Sequence, residues 1–171
     1  MVRWAIGDPH FGHFNILAYC DRPFADLDEM HEVIMHNWNT TVDDEDIVYI
    51  FGDLAYGKGS KEVLKSILPQ LKGHKRLIRG NHDHETITWY KRYGIEHIYG
   101  PQIWDEKWPY RVILSHIPVP CKAPCINIHA HVHNLIHIAE EGIYRCVSVE
   151  QINYTPVDLD ELIEEVRDGK E

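Results

Sequence analysis

Five short polar clusters stand out in the chain: Asp8-Pro9-His10, Gly52-Asp53, Gly80-Asn81-His82-Asp83, Ser115-His116 and His131-Val132-His133. Their side chains are carboxylate, carboxamide and imidazole donors. Such mixtures suit divalent manganese, iron, zinc, cobalt or nickel, whereas sulfur-rich sets select zinc or clusters and all-oxygen sets select magnesium or calcium. On extended backbone alternate side chains share a face, so Asp8-x-His10 and His131-x-His133 would each present two donors together. Thirteen histidines in 171 residues produce pairs by chance. Chance does not explain why the clusters fall where strands end.

Val2 to Ile6 is a short apolar run that stops at Gly7-Asp8, and Asp46 to Phe51 repeats the pattern before Gly52-Asp53. Both read as buried strands, as does Lys75 to Arg79 before Gly80-Asn81. Between the first two, Asp26 is placed to cap a helix bearing Leu27, Met30, Ile34 and Trp38, with Glu29 closing a capping box. Between the second and third, Ser60 would cap a helix with Val63, Leu64, Ile67 and Leu68 on one face, ended or bent by Pro69. This alternation predicts parallel strands with right-handed helical crossovers, whose ligands gather at the carboxyl ends of the strands. A helix from Thr86 to Tyr93 follows. Short segments then read as a second run of strands: Tyr110 to Ser115, Cys125 to His129, Leu135 to Ala139 and Ile143 to Val149. A terminal helix carries Leu162, Ile163 and Val166 behind acidic residues in its first turn.

In this order the clusters resemble the calcineurin-like metallophosphoesterase family, whose pattern runs Asp-x-His, Gly-Asp, Gly-Asn-His-Glu/Asp, His and Gly-His-x-His. The resemblance spans Asp8 to His133, and the element Asp8 to Asn15 is similar to that of small phage and prokaryotic members. It implies an α/β fold, a four-layer α/β/β/α sandwich of two mixed sheets flanked by helices. It implies two divalent metal ions, manganese foremost, with iron, zinc, nickel, cobalt or magnesium as alternatives. Asp8, His10 and His133 would hold one ion, Asn81, His116 and His131 the other, and Asp53 would bridge them. His82 would contact phosphate and protonate the leaving alkoxide, with Asp83 orienting its ring. The implied activity is hydrolysis of small phosphodiesters or phosphomonoesters, nucleotides among them, by a metal-activated hydroxide. A nuclease acting on DNA or RNA and a metal-binding scaffold without turnover are the rival readings. One departure is Ala130, where the family has glycine before the last His-x-His, and it makes His129 a competitor to His131.

The length and the 44% apolar content predict one folded domain over residues 1–171. No apolar run approaches the roughly 20 residues of a membrane span, and the N-terminus lacks a secretion signal, so the chain reads as cytoplasmic. Cys20, Cys121, Cys125 and Cys146 are then expected to be reduced. A net charge of −10 disfavours long nucleic acids as partners and favours small phosphoesters. His31, His36, His74, His84, His97 and His137 are given no role. His13 and Asn15 could serve the site or cap a following helix. The aromatic stretch from Trp89 to Tyr110 reads as core, and Arg79, preceding Gly80-Asn81, stands close enough in sequence to meet a phosphate.

Overall fold

In the computed structural model, which describes residues 1–135 and 143–169, strands β1 (Arg3–Ile6), β2 (Ile47–Ile50) and β3 (His74–Ile78) lie parallel and adjacent. The crossovers are α2 (Leu27–Thr41), preceded by a short α1 (Ile16–Tyr19), and α3 (Ser60–Ile67). Helix α4 (Ile87–Arg92) leads to β4 (Ile95–Tyr99), which pairs parallel to β3 at one edge. Strand β9 (Val157–Asp158) pairs antiparallel to β1 at the other. The second sheet runs β5 (Gln102–Asp105), β6 (Val112–Ser115), β7 (Ile126–His129) and β8 (Tyr144–Cys146), with β5 antiparallel and the rest parallel. Two mixed sheets are therefore packed together and flanked by helices, as expected.

Strand β2 is buried throughout, and its alternate residues divide between two cores. Val48 and Ile50 join Ile6 and Leu77 against Met30, Ile34 and Trp38 of α2 and Leu64 and Ile67 of α3. Ile47 and Tyr49 face the second sheet, meeting Val112, Leu114, Ile126 and Ile128 with Leu159, Ile163 and Val166 of α5 (Leu159–Asp168). Each such buried aliphatic contributes about 1.5–3 kcal/mol relative to exposure. Helix α2 starts as its sequence dictates, with Asp26 accepting the Glu29 N–H at 2.9 Å. Glu29 reaches back to the N–H of Ala25 at 2.6 Å.

Helix α3 departs from expectation. Gly59, left-handed at φ 86°, occupies its cap position, and Ser60 is its first residue without a capping bond. Glycine reaches that conformation without a Cβ penalty, which serine would incur. Pro69 lies in a 3₁₀ turn over Leu68–Gln70 that ends the helical run, as predicted. Thr86 caps α4, accepting from the Trp89 N–H at 3.2 Å, and Asp158 caps α5. Strands β4, β5 and β9 lie outside the segments that the sequence pattern predicts as strands. The segment expected over residues 135 to 139 falls, apart from Leu135, outside the described residues, as does His137. The aromatic stretch is mixed: Tyr90 is in the core, whereas Trp104 is 50% exposed.

Candidate metal centre

The register of β1 on β2 aligns Ile6 with Ile50, so the two following loops run side by side. The ladder continues past the strands: Asp8 donates to the Gly52 carbonyl at 3.1 Å, His10 to Asp53 at 3.1 Å and Phe11 to Leu54 at 2.9 Å. Asp8 and Asp53 are thereby placed beside each other, with Asn81 beyond β3 and His116 beyond β6. His131 and His133 follow β7.

Asp8, His10 and His133 bring one ligand atom each to within 4.8 Å of one another, and so do Asp53, His116 and His131. Asn81 belongs with the second group, because its Oδ1 lies 3.0 Å from His116 Nε2. His116 Nε2 is also 3.5 Å from Asp53 Oδ2 and 3.1 Å from His131 Nδ1. Its Nδ1, 2.7 Å from the Phe51 carbonyl, must carry a proton to make that bond, which leaves Nε2 for the centre. His131, not His129, reaches the centre. His129 is buried with Nδ1 on the Ala130 carbonyl.

Asp8 Oδ2 accepts from the His131 N–H at 2.6 Å and from the Ser148 hydroxyl. Its Oδ1 and the Nε2 of His10 are buried with no hydrogen-bond partner. Orphaned polar atoms of this kind are costly unless a ligand satisfies them. A divalent cation fits them, since carboxylate oxygen and imidazole nitrogen are its ordinary donors.

The electrostatics of these donors follow from their burial and their mutual charges. Burial raises the Asp8 carboxyl to about 6, against the opposing pull of His133 and His116. Burial likewise lowers His10 to about 3, although Asp53 works the other way. For Asp53 burial is outweighed by the hydrogen bond and charge of His116 and by the His82 N–H, which hold it at about 2. The backbone is strained at the same places. Asp8 (φ 53°), His10 (51°), Asp53 (51°), His131 (72°) and His133 (52°) are all left-handed. Such residues cost about 1–3 kcal/mol each and persist where their surroundings fix them. The expectation that both His/Asp-x-His pairs lie on extended chain is thus corrected: they sit on tight loops past the strand ends.

His82 lies at the mouth of the centre. Its backbone N–H donates to Asp53 Oδ1 at 2.8 Å, and its Nε2 is 3.9 Å from Asp53 Oδ2. Its ring packs against that of Tyr56 at 4.2 Å between centroids. Both line a cleft of about 340 Å³ completed by Ser60, Lys61, His84, Glu85 and Tyr90. Asp83 does not orient the His82 ring, contrary to the sequence reading. Its Oδ2 accepts the N–H groups of Asp53 and Gly80 at 2.8 Å each, and its Oδ1 that of Leu54 at 3.1 Å. The two side chains diverge in this turn, so the carboxylate braces the backbone that presents Asp53.

Ala130 in place of glycine is absorbed by its neighbour: a Cβ on Gly7 would stand 2.5 Å from that of Ala130. Asn15 precedes α1 without a side-chain cap. His13 instead stands behind His10, with the two Nδ1 atoms 3.3 Å apart. Arg79 turns away, donating to the Glu85 carbonyl at 2.6 Å. Two residues that the sequence did not single out are central here. Glu150 Oε1 lies 3.1 Å from His133 Nδ1, and Arg22 holds Glu150. Cys20, His133 and Glu150 form a third cluster with ligand atoms within 4.8 Å of one another. Only their spacing along the chain, too long to form a motif, concealed them.

A two-sheet α/β fold thus collects carboxylate and imidazole donors, the donor types of a divalent-cation site, at the ends of parallel strands. Residues 1–170 match the profile of the Metallophos family, described as calcineurin-like phosphoesterases. An uncharacterised protein of Methanocaldococcus jannaschii is 34% identical over 176 residues, covering 98% of this chain and 92% of that protein. Gene 66 protein of Mycobacterium phage D29 is 37% identical over 83 residues, 47% of this chain and 39% of that protein. A crystal structure of a protein of unknown function from Aquifex aeolicus superposes with a TM-score of 0.70 at 25% identity, covering 95% of this chain and 98% of that one. The chain belongs to the calcineurin-like phosphoesterase family and is accordingly a hydrolase of phosphoester bonds. Among the described residues no helix is long and apolar enough to cross a membrane.

Proposed function

We propose that this chain hydrolyses small phosphodiesters or phosphomonoesters, nucleotides among them, at a pair of divalent cations, with manganese the leading candidate. The observation that carries the reading is the position of Asp53. It belongs to the second ligand group, yet its Oδ2 lies 3.6 Å from His10 Nε2 of the first, so one carboxylate stands between both. Asp8, His10 and His133 would hold one cation, and Asn81, His116 and His131 the other. A bound pair supplies Lewis acidity, acidifying water near neutral pH and neutralising charge on phosphoryl oxygens.

The remaining work belongs to the side chains. His82 faces the same carboxylate as the ligands from the open side, 30% exposed, where a substrate can reach it. Imidazole is the side chain suited to acid–base work near neutrality. Nε2 of His82 would pass its proton to the oxygen of the departing alcohol as the P–O bond breaks. The alcohol must then leave on the His82 side, where the cleft between Tyr56 and Tyr90 accepts its substituent. The 340 Å³ volume lies at the lower end for small-molecule pockets, which supports small substrates. The net charge of −10 supports the same reading against long nucleic acids.

The test is hydrolysis of aryl phosphomonoesters and phosphodiesters with manganese, nickel, cobalt, magnesium or no metal. Wild type should turn over with at least one of them, while His82→Ala and Asp53→Asn should each lose about 10²-fold or more while remaining folded. No turnover with any metal would sink the proposal.

A further inference from the structure

Arg22 is buried, 4% exposed, and distant in sequence from every motif. Its guanidinium makes four hydrogen bonds and an ion pair. Nε donates to Glu150 Oε1 at 2.9 Å, Nη2 to the Asp8 carbonyl at 2.8 Å, and Nη1 to the Pro9 carbonyl at 2.9 Å and Met30 Sδ at 3.2 Å, while Nη2 also lies 2.7 Å from Glu150 Oε1. The two carbonyls belong to the left-handed turn that presents Asp8 and His10. The same Glu150 oxygen meets His133 Nδ1 at 3.1 Å, and the Glu150 side chain is only 4% exposed. One guanidinium and one carboxylate therefore hold His133 and the Asp8-Pro9 backbone that leads directly into His10.

We infer that Arg22 and Glu150 are a positioning pair that presets this triad for its cation and leaves the Asn81, His116 and His131 triad untouched. Two physical effects combine. A carboxylate that accepts the Nδ1 proton of His133 fixes the tautomer, turns Nε2 toward the ligand and raises its basicity. A planar guanidinium pins two consecutive carbonyls and a carboxylate in one fixed fork geometry, whereas a lysine ammonium is a compact charge on a flexible stem. Among the described residues, neither Arg22 nor Glu150 makes a hydrogen bond or ion pair to Asn81, His116 or His131.

The cluster of Cys20, His133 and Glu150 offers a competing arrangement, a separate cation site. Charge argues against it: although Glu150 Oε2 has no hydrogen-bond partner, the Arg22 guanidinium 2.7 Å from Oε1 would face any cation placed there.

The inference rests on the two-cation reading of the preceding section, and the experiment separates them. Manganese is titrated calorimetrically into the metal-free full-length protein, with electron paramagnetic resonance distinguishing coupled from isolated ions. Wild type should bind two equivalents. In Glu150→Gln and Arg22→Lys one equivalent should weaken about 10- to 100-fold while the other is unchanged, with the coupled signal replaced by a single-ion one. If either single variant is unfolded by circular dichroism, the double variant Arg22→Met/Glu150→Gln, which leaves no unpaired buried charge, is read instead. Unchanged binding of both equivalents, or equal weakening of both, would overturn the inference. So would a comparable loss in Cys20→Ser, which would assign the ion to the third cluster. Should wild type bind one equivalent only, the two-cation reading fails, and retention or loss of that equivalent in Glu150→Gln still decides the role of the pair.

Discussion

Moving one methyl group across the contact between Gly7 and Ala130 tests how the first and last ligand loops are held together. Gly7 precedes Asp8, and Ala130 precedes His131, whose N–H donates to Asp8 Oδ2. A Cβ at position 7 would lie 2.5 Å from the Ala130 Cβ and 3.2 Å from both the Phe51 Cβ and the Val147 carbonyl. The first separation is impossible without movement, so Gly7→Ala should cost about 1–3 kcal/mol by overpacking. Ala130→Gly removes a fully buried methyl and adds glycine freedom to the unfolded chain. Those terms are about 0.8 kcal/mol and about 0.5–1 kcal/mol. In Gly7→Ala/Ala130→Gly the methyl is relocated and the collision vanishes, while the contacts to Phe51 and Val147 persist. The double variant should therefore be about 1–2 kcal/mol more stable than the sum of the single losses predicts. Urea denaturation of the four metal-free proteins, with a common m-value, measures this coupling. Additivity within about 0.5 kcal/mol would refute the claim that these positions share one methyl-sized space.

Gly80→Ala would place a Cβ 2.1 Å from Asp53 Oδ1 and 2.5 Å from the Asp53 backbone nitrogen, so it should displace the Asp53 loop and its carboxylate and reduce kcat about 10²-fold or more with the secondary structure intact by circular dichroism. Asp83→Asn substitutes an amide for a carboxylate that accepts three backbone N–H groups, and should cost about 1–3 kcal/mol in thermal or urea denaturation. Burial would raise the Glu150 carboxyl, but His133 and Arg22 outweigh it and lower it from 4.5 to about 2 in the metal-free protein. A depressed folded pKa contributes stability that is complete above 4.5 and lost as pH falls toward 2, so Glu150→Gln should flatten that part of the Tm–pH profile. Tyr56→Ala, on the cleft wall, should raise KM several-fold for aryl diesters and leave it nearly unchanged for a methyl diester, as read from steady-state kinetics.

What the sequence could say was mostly local. The Asp26 cap, the apolar stripe of α2 and the strand-end position of each ligand follow from residue type and spacing within a few positions. The cap of α3 was misread because Ser60 is a good capping residue by type, while the left-handed Gly59 beside it satisfies the turn by conformation. Asp83 was misread for a related reason. Adjacency along the chain does not make adjacency in space, and its carboxylate turns under the β2 loop instead. Short edge strands such as β9, with two residues, carry too little pattern to be seen.

Non-local compensation is the part that no motif records. Ala130 looked like a defect in the last motif because its permission lies in the first loop, at Gly7. Glu150 is 128 positions from Arg22, and neither sits in a repeated spacing. Yet five residues of the candidate site, Asp8, His10, Asp53, His131 and His133, keep a left-handed conformation that their own side chains disfavour. The strain at the ligands and the buried bonds around them are therefore two sides of one arrangement. If the Arg22–Glu150 grip is loosened, the Asp8-Pro9-His10 turn is free to relax toward ordinary backbone before any ligand is itself altered. Metal affinity would then fall ahead of global stability.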